Sequence, residues 1–482
     1  MDMAIEIIER KREINQLMEI HRSGRPEFVV VYGRRRVGKT FLVRELFAGK
    51  MALHHTALSP FELEQDNAEL LYRQQLRVFG ESLRTAGDYH KEAPEDWIEA
   101  FQWLREMLER KPRNRRQVVF IDELPWMDTP RSGFVTAFEH FWNGWGAGRK
   151  NLMLIVSGSA TSWINDRLLN NTSGLYGRTT REIHLAPFSL GETDAFFKQN
   201  HIVYDHYDTI QAYMAVGGIP YYLSYFERGL SVGQNIDNLF FNHGGKLQLE
   251  FDRLFKSLFS DSERYTQLVR VIGKTRRGLT RKEICEGMGM SSGAAITKML
   301  QALEAGDFII KYKPIGGSSR EVRYKLVDLF TLFYIFFIDR ADNGDGFWQH
   351  NLHSATLNTW RGLAFENVCY VHVDKIKQAL GIAGVHTEIA PWLSKIADCH
   401  AQIDMLIDRD DRVANVCEIK YYGSEFTIDK QYDLELRNKV DAYLTQSGRR
   451  RNPHLTIITT YGLRQNMYSG AVQSVVTGDQ LF

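Results

Sequence analysis

Short, β-branched apolar runs recur through the first part of the chain, at Phe28–Tyr32 (FVVVY), Gln117–Ile121 (QVVFI) and Leu152–Ser157 (LMLIVS). Runs this short and this uniformly apolar predict strands buried on both faces. Helical periodicity lies around them, over Ile5–Ile20, Lys39–Ala48, Glu62–Phe79, Trp97–Arg110 and Phe134–Trp145. Strands alternating with helices predict a doubly wound parallel α/β sheet. This core is expected to end near Arg181–Leu185, with a helical lid running on to about Phe259.

The pattern then changes. Ser262–Ile272, Thr280–Met288 and Ser292–Ala305 read as helices, and in the last of them Ile296, Met299, Leu300 and Leu303 share one face. Phe308–Pro314 and Glu321–Leu326 read as two strands joined through Gly316-Gly317-Ser318-Ser319. Three helices followed by a hairpin describe a winged helix. Beyond it, helices are expected at Phe330–Ile338 and Thr359–Leu380, and strands at Ile403–Ile407 and Val413–Lys420. A helix at Asp429–Tyr443 and a strand at Leu455–Thr459 complete a further α/β module. The expected division is 1–185, 186–260, 261–328 and 329–482.

Composition narrows the classes. With 44% hydrophobic and 25% charged residues among 482, the chain is neither disordered nor of low complexity. A net charge of +1 gives no global attraction to nucleic acid, so any such binding needs a local basic face. Cys285, Cys369, Cys399 and Cys417 show no C-x-x-C spacing. They are read as reduced, mostly buried thiols of a cytoplasmic protein. The first 20 residues lack a signal-peptide core. The longest apolar run, Leu329–Ile338, falls short of the roughly 20 residues that span a bilayer, so no membrane association is expected.

The chemistry begins at Gly33-Arg34-Arg35-Arg36-Val37-Gly38-Lys39-Thr40, which fits G-x-x-x-x-G-K-[ST] between a predicted strand and a predicted helix. Glycines let the backbone form a nest of N–H groups, and the helix N-terminus adds partial positive charge toward phosphates. Lys39 is placed to reach the β and γ oxygens, and the Thr40 hydroxyl to ligate Mg²⁺, with Phe41 closing the ATP-binding stretch. Val118–Glu123 is the matching acidic strand end: Asp122 beside the Mg²⁺ water shell, Glu123 orienting or activating the attacking water. Ser157 or Ser159 is a candidate sensor of the γ-phosphate. Arg178 is a candidate for stabilising charge on the transferred phosphoryl, its alternative being a surface arginine.

These motifs, GRRRVGKT, FIDELPW, SGS and YGRTTREIHLAPFSLGE, together with Gly217-Gly218-Ile219-Pro220, resemble the archaeal-type ATPase family, a prokaryotic branch of the STAND division of AAA+ proteins. The resemblance implies an ATP-hydrolysing P-loop domain, a winged helix and a C-terminal domain of the PD-(D/E)XK nuclease, or restriction-endonuclease-like, type. It implies an arginine at the position of Arg178. It also implies that the Gly217–Pro220 turn couples nucleotide state to the lid.

Near the C-terminus, Ile403-Asp404 and Glu418-Ile419-Lys420 lie on successive predicted strands, and Glu366 lies in a helical run upstream. Period-two alternation puts Glu418 and Lys420 on one face. Asp404 and Glu418 are hard oxygen donors for Mg²⁺, Lys420 is placed to polarise water, and Glu366 to complete the metal shell. The spacing resembles the nuclease fold, with Ile403 where that fold commonly has proline. Such a domain either cuts or only binds nucleic acid. Thr297, Lys298 and Gln301 on the expected recognition helix, with Arg276, Arg277, Arg281, Lys282, Lys311, Lys313, Arg320 and Arg323, fit phosphate contacts. The same module can instead pack between domains or against a protein partner. Basic runs at Arg110–Arg116 and Arg449–Arg451 read as solvated loops, the second also able to track a DNA backbone. Trp126, Trp142 and Trp145 read as packing residues. Taken together, the expectation is an ATP-hydrolysing switch with a DNA-directed C-terminal end. Its alternatives are an ATP-regulated DNA- or protein-binding regulator whose nuclease-like domain is inactive, and a homo-oligomeric ring.

Overall fold

The computed structural model describes residues 7–60, 68–159, 161–169, 174–317, 321–339, 344–394, 401–447 and 451–482. Ser318, Ser319, Arg320, Cys399, Arg449 and Arg450 lie outside the described residues, as do the beginnings of the helices expected from Ile5 and Glu62. The chain divides into two compact units, residues 1–187 with 254–260, and residues 188–253 with 261–482.

The first unit is built on strands β1 (Glu27–Tyr32), β2 (Met51–Thr56), β3 (Gln117–Asp122), β4 (Leu152–Gly158) and β5 (Arg181–His184). They form a parallel sheet in the order β2-β3-β4-β1-β5. Central strands β1, β3 and β4 are buried almost throughout, as uniformly apolar runs require. Phe28, Val30, Leu152, Leu154 and Val156 join one aromatic-rich core with Trp97, Phe101, Phe134 and Phe138 of the helices Trp97–Arg110 and Phe134–Gly144. Val29, Val31, Met153 and Ile155 alternate with them and are wholly buried too, so both faces of the sheet are covered. Trp142 belongs to this core, and Trp126 and Trp145 pack against it.

The edge strands β2 and β5 carry no apolar run. β2 reads MALHHT and β5 reads REIH with Ile183 its one buried residue. Pairing to a buried neighbour, rather than side-chain pattern, makes them strands.

In the second unit, helices Ser262–Ile272, Arg281–Met288 and Ala294–Ala305 stand beside an antiparallel sheet of β6 (Leu279–Thr280), β7 (Ile309–Tyr312) and β8 (Arg323–Leu326), ordered β6-β8-β7. Ile296, Met299, Leu300 and Leu303 are the buried face of the third helix. Strands β9 (Thr387–Leu393), β10 (Gln402–Arg409), β11 (Val413–Lys420), β12 (Asn452–Thr459) and β13 (Ser474–Thr477) form a mixed sheet in the order β13-β12-β11-β10-β9. β10 is antiparallel to β9 and β11, whereas β11, β12 and β13 run parallel.

The helix expected over Thr359–Leu380 is two helices, Ala355–Val371 and Val373–Ala379, parted at His372. The His372 Nδ1 faces the Val368 carbonyl at 2.9 Å, and its Nε2 accepts from the Leu190 amide at 2.9 Å. Cys285, Cys369 and Cys417 are free and buried. Among the described residues, no helix is long and apolar enough to cross a membrane.

One glycine fixes where the phosphate loop starts. Gly33 follows β1 with φ +143°, and a Cβ there would stand 2.3 Å from the Leu185 carbonyl oxygen. That oxygen is backbone and cannot swing away. Gly33→Ala is therefore expected to cost about 2 kcal/mol or more, read as a lowered melting temperature. An unchanged melt would show that Leu185 does not clamp the loop.

Candidate functional site

The expected site residues fall into two polar constellations, in different units. In the first, the loop Gly33–Thr40 leads from β1 into the helix Lys39–Leu46, with Gly38 at φ +95°. Arg36 also adopts a left-handed conformation, φ 73°. This alternation turns successive N–H groups toward one side, the geometry of an anion nest. Arg34 and Val37 are buried under the loop, Arg35 lies 6.0 Å from the Trp126 ring, and Phe41 is partly exposed at the helix start.

Lys39 is 4% exposed. Its Nζ donates to the Gly33 carbonyl (3.0 Å), the Arg34 carbonyl (3.1 Å) and Ser159 Oγ (2.7 Å). Glu123 Oε1 stands 3.9 Å from the same ammonium. Burial pulls the Lys39 pKa down, while Glu123 and Asp122 oppose the shift. Thr40 Oγ1 donates to Asp122 Oδ2 at 2.8 Å. Burial raises the Asp122 pKa first, Glu123 adds to it, and hydrogen bonds from Ser157 and Thr40 hold it down.

The end of β4 organises the two acids. The Ser157 hydroxyl donates to Asp122 Oδ1 and accepts from the Glu123 amide. The Ser159 amide donates to Glu123 Oε2 at 2.8 Å, and its hydroxyl donates to Glu123 Oε1. Ser157 is wholly buried, and its two hydrogen bonds are to Asp122 and the Glu123 amide. Ser159 is the serine that links Lys39 to Glu123. Glu123 itself turns the chain at φ 54°, opening the 3₁₀ turn Leu124–Met127. A hydroxyl and a carboxylate side by side, Thr40 and Asp122, are hard oxygen donors of the kind Mg²⁺ takes, so the residues present fit that ion.

Arg178 is a correction. It lies three residues before β5, and β5 begins where Arg181 pairs with Val29 near the start of β1. Arg178 lines a hollow with Glu19, Arg25 and Glu27, whereas the phosphate loop follows the other end of β1. At about 3.3 Å per residue the two ends of β1 are roughly 17 Å apart. Parallel pairing to β1 thus carries Arg178 away from the loop of its own chain.

Sequence reasoning missed Arg10. Its guanidinium donates to the Ala186 carbonyl (2.7 Å) and the Val37 carbonyl (3.5 Å), tying the phosphate loop to the segment after β5. An arginine before an amphipathic helix carried no signal of this.

The second constellation lies in the other unit. Asp404 on β10 accepts the Ile419 amide at 3.0 Å, and Tyr370 donates to the Asp404 carbonyl at 2.8 Å. A cavity of about 480 Å³ is lined by Arg276, Arg361, Glu366, Asp404, Lys420 and Tyr421, among others. Tyr421 stacks on Tyr207 at 4.8 Å. Glu418 is 3% exposed. One oxygen receives the Tyr432 hydroxyl and lies 3.0 Å from Lys420 Nζ, and the other receives Lys439 Nζ at 2.6 Å. Lys420, Lys439 and Tyr432 together hold its carboxyl below the usual range against the opposing effect of burial.

Asp404, Glu418, Glu366 and Lys420 thus lie in one neighbourhood, yet the carboxylates do not form a metal shell. Among the described residues, no three His, Cys, Asp or Glu side chains are arranged to hold a metal ion. Asp404 and Glu418 are the expected joint metal ligands, and here both Glu418 oxygens engage cationic and phenolic partners. Tyr432 and Lys439 were legible in principle, seven residues apart on one helix face. Lys325, buried on β8, was not.

In the helix–sheet module, Lys298 and Gln301 are exposed, and Thr297 bonds back to the Gly293 carbonyl. Arg281 and Arg323 donate to the carbonyls of Gly293 and Gly278. Exposed basic side chains of the module include Lys274, Arg276, Arg277, Lys282, Lys298, Lys311 and Lys313.

Burial pushes the Asp404 carboxyl up to about 7, with Glu418 and Glu366 adding to the shift. A raised folded-state pKa means a stability contribution present below about pH 4 and lost as pH rises through about 7. Asp404→Asn, neutral throughout, is expected to melt above the parent chain at pH 8, with the margin shrinking toward pH 5. Melting curves across that range are the measurement, and a margin independent of pH contradicts the assignment.

The family model described as "ATPase domain predominantly from Archaea" matches residues 7–226. The chain is 24% identical over 419 residues to uncharacterized protein MJECL04 of Methanocaldococcus jannaschii, covering 86% of this chain and 87% of that one. Among solved structures, the Walker-type ATPase PABY2304 of Pyrococcus abyssi is 18% identical with a TM-score of 0.44, covering 68% of this chain and 96% of that one. The ORC2 protein of Aeropyrum pernix is 14% identical with a TM-score of 0.39, covering 73% and 96%. With the loop, the acidic strand end and this match, residues 7–226 carry a P-loop ATPase domain.

Proposed function

We propose that the chain is an ATP-hydrolysing switch whose C-terminal part is directed at nucleic acid. The observation that carries the ATPase reading is the connected set Lys39–Ser159–Glu123, with Thr40 against Asp122. Lys39 and the loop amides bind and orient the phosphates. Magnesium, when bound, neutralises charge on the transferred phosphoryl group. Asp122 and Thr40 would hold that ion, and Ser157 fixes Asp122 by a hydrogen bond. Glu123 orients water, and Ser159, bonded to both Glu123 and Lys39, relays γ-phosphate occupancy between them. Arg178 serves no nucleotide bound to its own loop. A contribution from it requires a second copy of the chain, as in a homo-oligomer.

The functional modules are taken as 1–185, 186–260, 261–328 and 329–482. Residues 261–328 are read as a winged helix and 329–482 as a nuclease-like α/β domain. Four exposed lysines, Lys282, Lys298, Lys311 and Lys313, support a DNA-facing role for the winged helix. The Gly217–Pro220 turn is read as the coupling element. Gly217 and Gly218 both have positive φ, and a Cβ at Gly218 would meet the Phe188 carbonyl oxygen at 2.3 Å.

A second reading has a specific observation behind it. The ion-paired state of Glu418 favours a regulator that binds nucleic acid or protein under ATP control without cutting. A Mg²⁺ or Mn²⁺ cleavage assay on the parent chain and Asp404→Ala separates the two. Cleavage lost in the variant supports the nuclease, and no cleavage by either supports the regulator.

Lys39→Ala is expected to abolish ATP binding in a fluorescent-nucleotide titration. Glu123→Gln is expected to retain binding and lose hydrolysis by about 10²-fold or more in a phosphate-release assay. Parent-like turnover in both variants rejects the ATPase reading.

A further inference from the structure

The cavity that Glu366 and Asp404 line is bordered by the helix–sheet module through Arg276. Lys325, on β8, is 3% exposed. Its Nζ donates to the Arg276 carbonyl at 2.7 Å and lies 5.4 Å from the Tyr370 ring, whose hydroxyl holds the Asp404 backbone. The same ammonium is within electrostatic reach of Glu366 and Asp404. The next residue, Leu326, accepts the Asn367 side-chain amide at 3.0 Å, which pins β8 beside the helix that carries Glu366. Arg276 NH1 stands 3.5 Å from Glu366 Oε1. Lys420 and Lys439 engage Glu418.

Three carboxylates, Glu366, Asp404 and Glu418, thus face four cations, Lys325, Arg276, Lys420 and Lys439. A buried carboxylate needs a compensating charge, and an isolated one would cost several kcal/mol. A divalent ion is one way to supply that charge, and fixed ammonium groups are another. The two are not additive. An ion entering beside Lys325 would meet like-charge repulsion in a poorly screening interior.

We propose that Lys325, steadied by Arg276, takes the place of a divalent cation at Glu366 and Asp404, so that this site binds no metal while β8 stays packed against the Glu366 helix. A metal centre forms there only if the hairpin withdraws. The inference goes beyond the proposed function and stands whether or not the domain ever cuts DNA. Its readout is metal binding, whereas cleavage tests the nuclease reading.

The test is titration of the full chain with Mn²⁺, without nucleotide, reading free Mn²⁺ by electron paramagnetic resonance. The parent, Asp404→Asn, Lys325→Met and the double variant Lys325→Met/Asp404→Asn are compared. Ions held weakly at Thr40 and Asp122 are common to all four and cancel. The parent and Asp404→Asn are expected to titrate alike. Lys325→Met is expected to gain a site at least about tenfold tighter than any in the parent, and the double variant to lose it. An Asp404-dependent site in the parent overturns the proposal. So does a folded Lys325→Met, by circular dichroism, that gains none. Should Lys325→Met not fold, the parent against Asp404→Asn decides alone: equal curves support the proposal and unequal curves overturn it.

Discussion

A buried ammonium beside two buried carboxylates is the constraint from which the first unit is organised. Lys39, Asp122 and Glu123 cannot be enclosed singly, because each would forfeit hydration without compensation. They are enclosed together, and two serines distribute the protons among them. This demands that the ends of β1, β3 and β4 lie side by side, which the strand order provides. The aromatic core beneath holds those ends in register. The second unit meets the same demand with different residues, and there the compensating charge comes from three lysines and an arginine on four separate segments.

How far the sequence foretold this depended on the kind of signal. The central strands were legible because a strand buried on both faces must be apolar throughout, and β11 was readable to the residue as Val413–Lys420. The edge strands β2, β5, β9 and β13 were not, since one exposed face or a polar mixture removes the pattern. The helix over Thr359–Leu380 looked continuous because periodicity does not register a single histidine bonded to a distant amide.

The sites divide along the same line. Gly33, Lys39, Thr40, Asp122 and Glu123 are neighbours in two local motifs, so spacing alone brought them together. Arg178 failed because its place follows from the register of β5 on β1, which no local pattern encodes. Lys325 was invisible for a related reason: on a short strand it reads as one more polar alternate, and only tertiary packing turns it inward beside Glu366. Charges that matter through long-range neighbours are the least readable part of a sequence.

The imidazole at the break between the two helices acts as a hinge pin with one donating and one accepting nitrogen. It must be neutral to do so, and burial keeps it neutral, depressing its pKa to about 4. Few side chains present a donor and an acceptor on opposite edges of one rigid ring. The helix that bears Glu366 therefore takes its bearing from a tautomer. A proton added to that ring would set an N–H against the Leu190 N–H, six positions along the chain from the acid that faces the cavity.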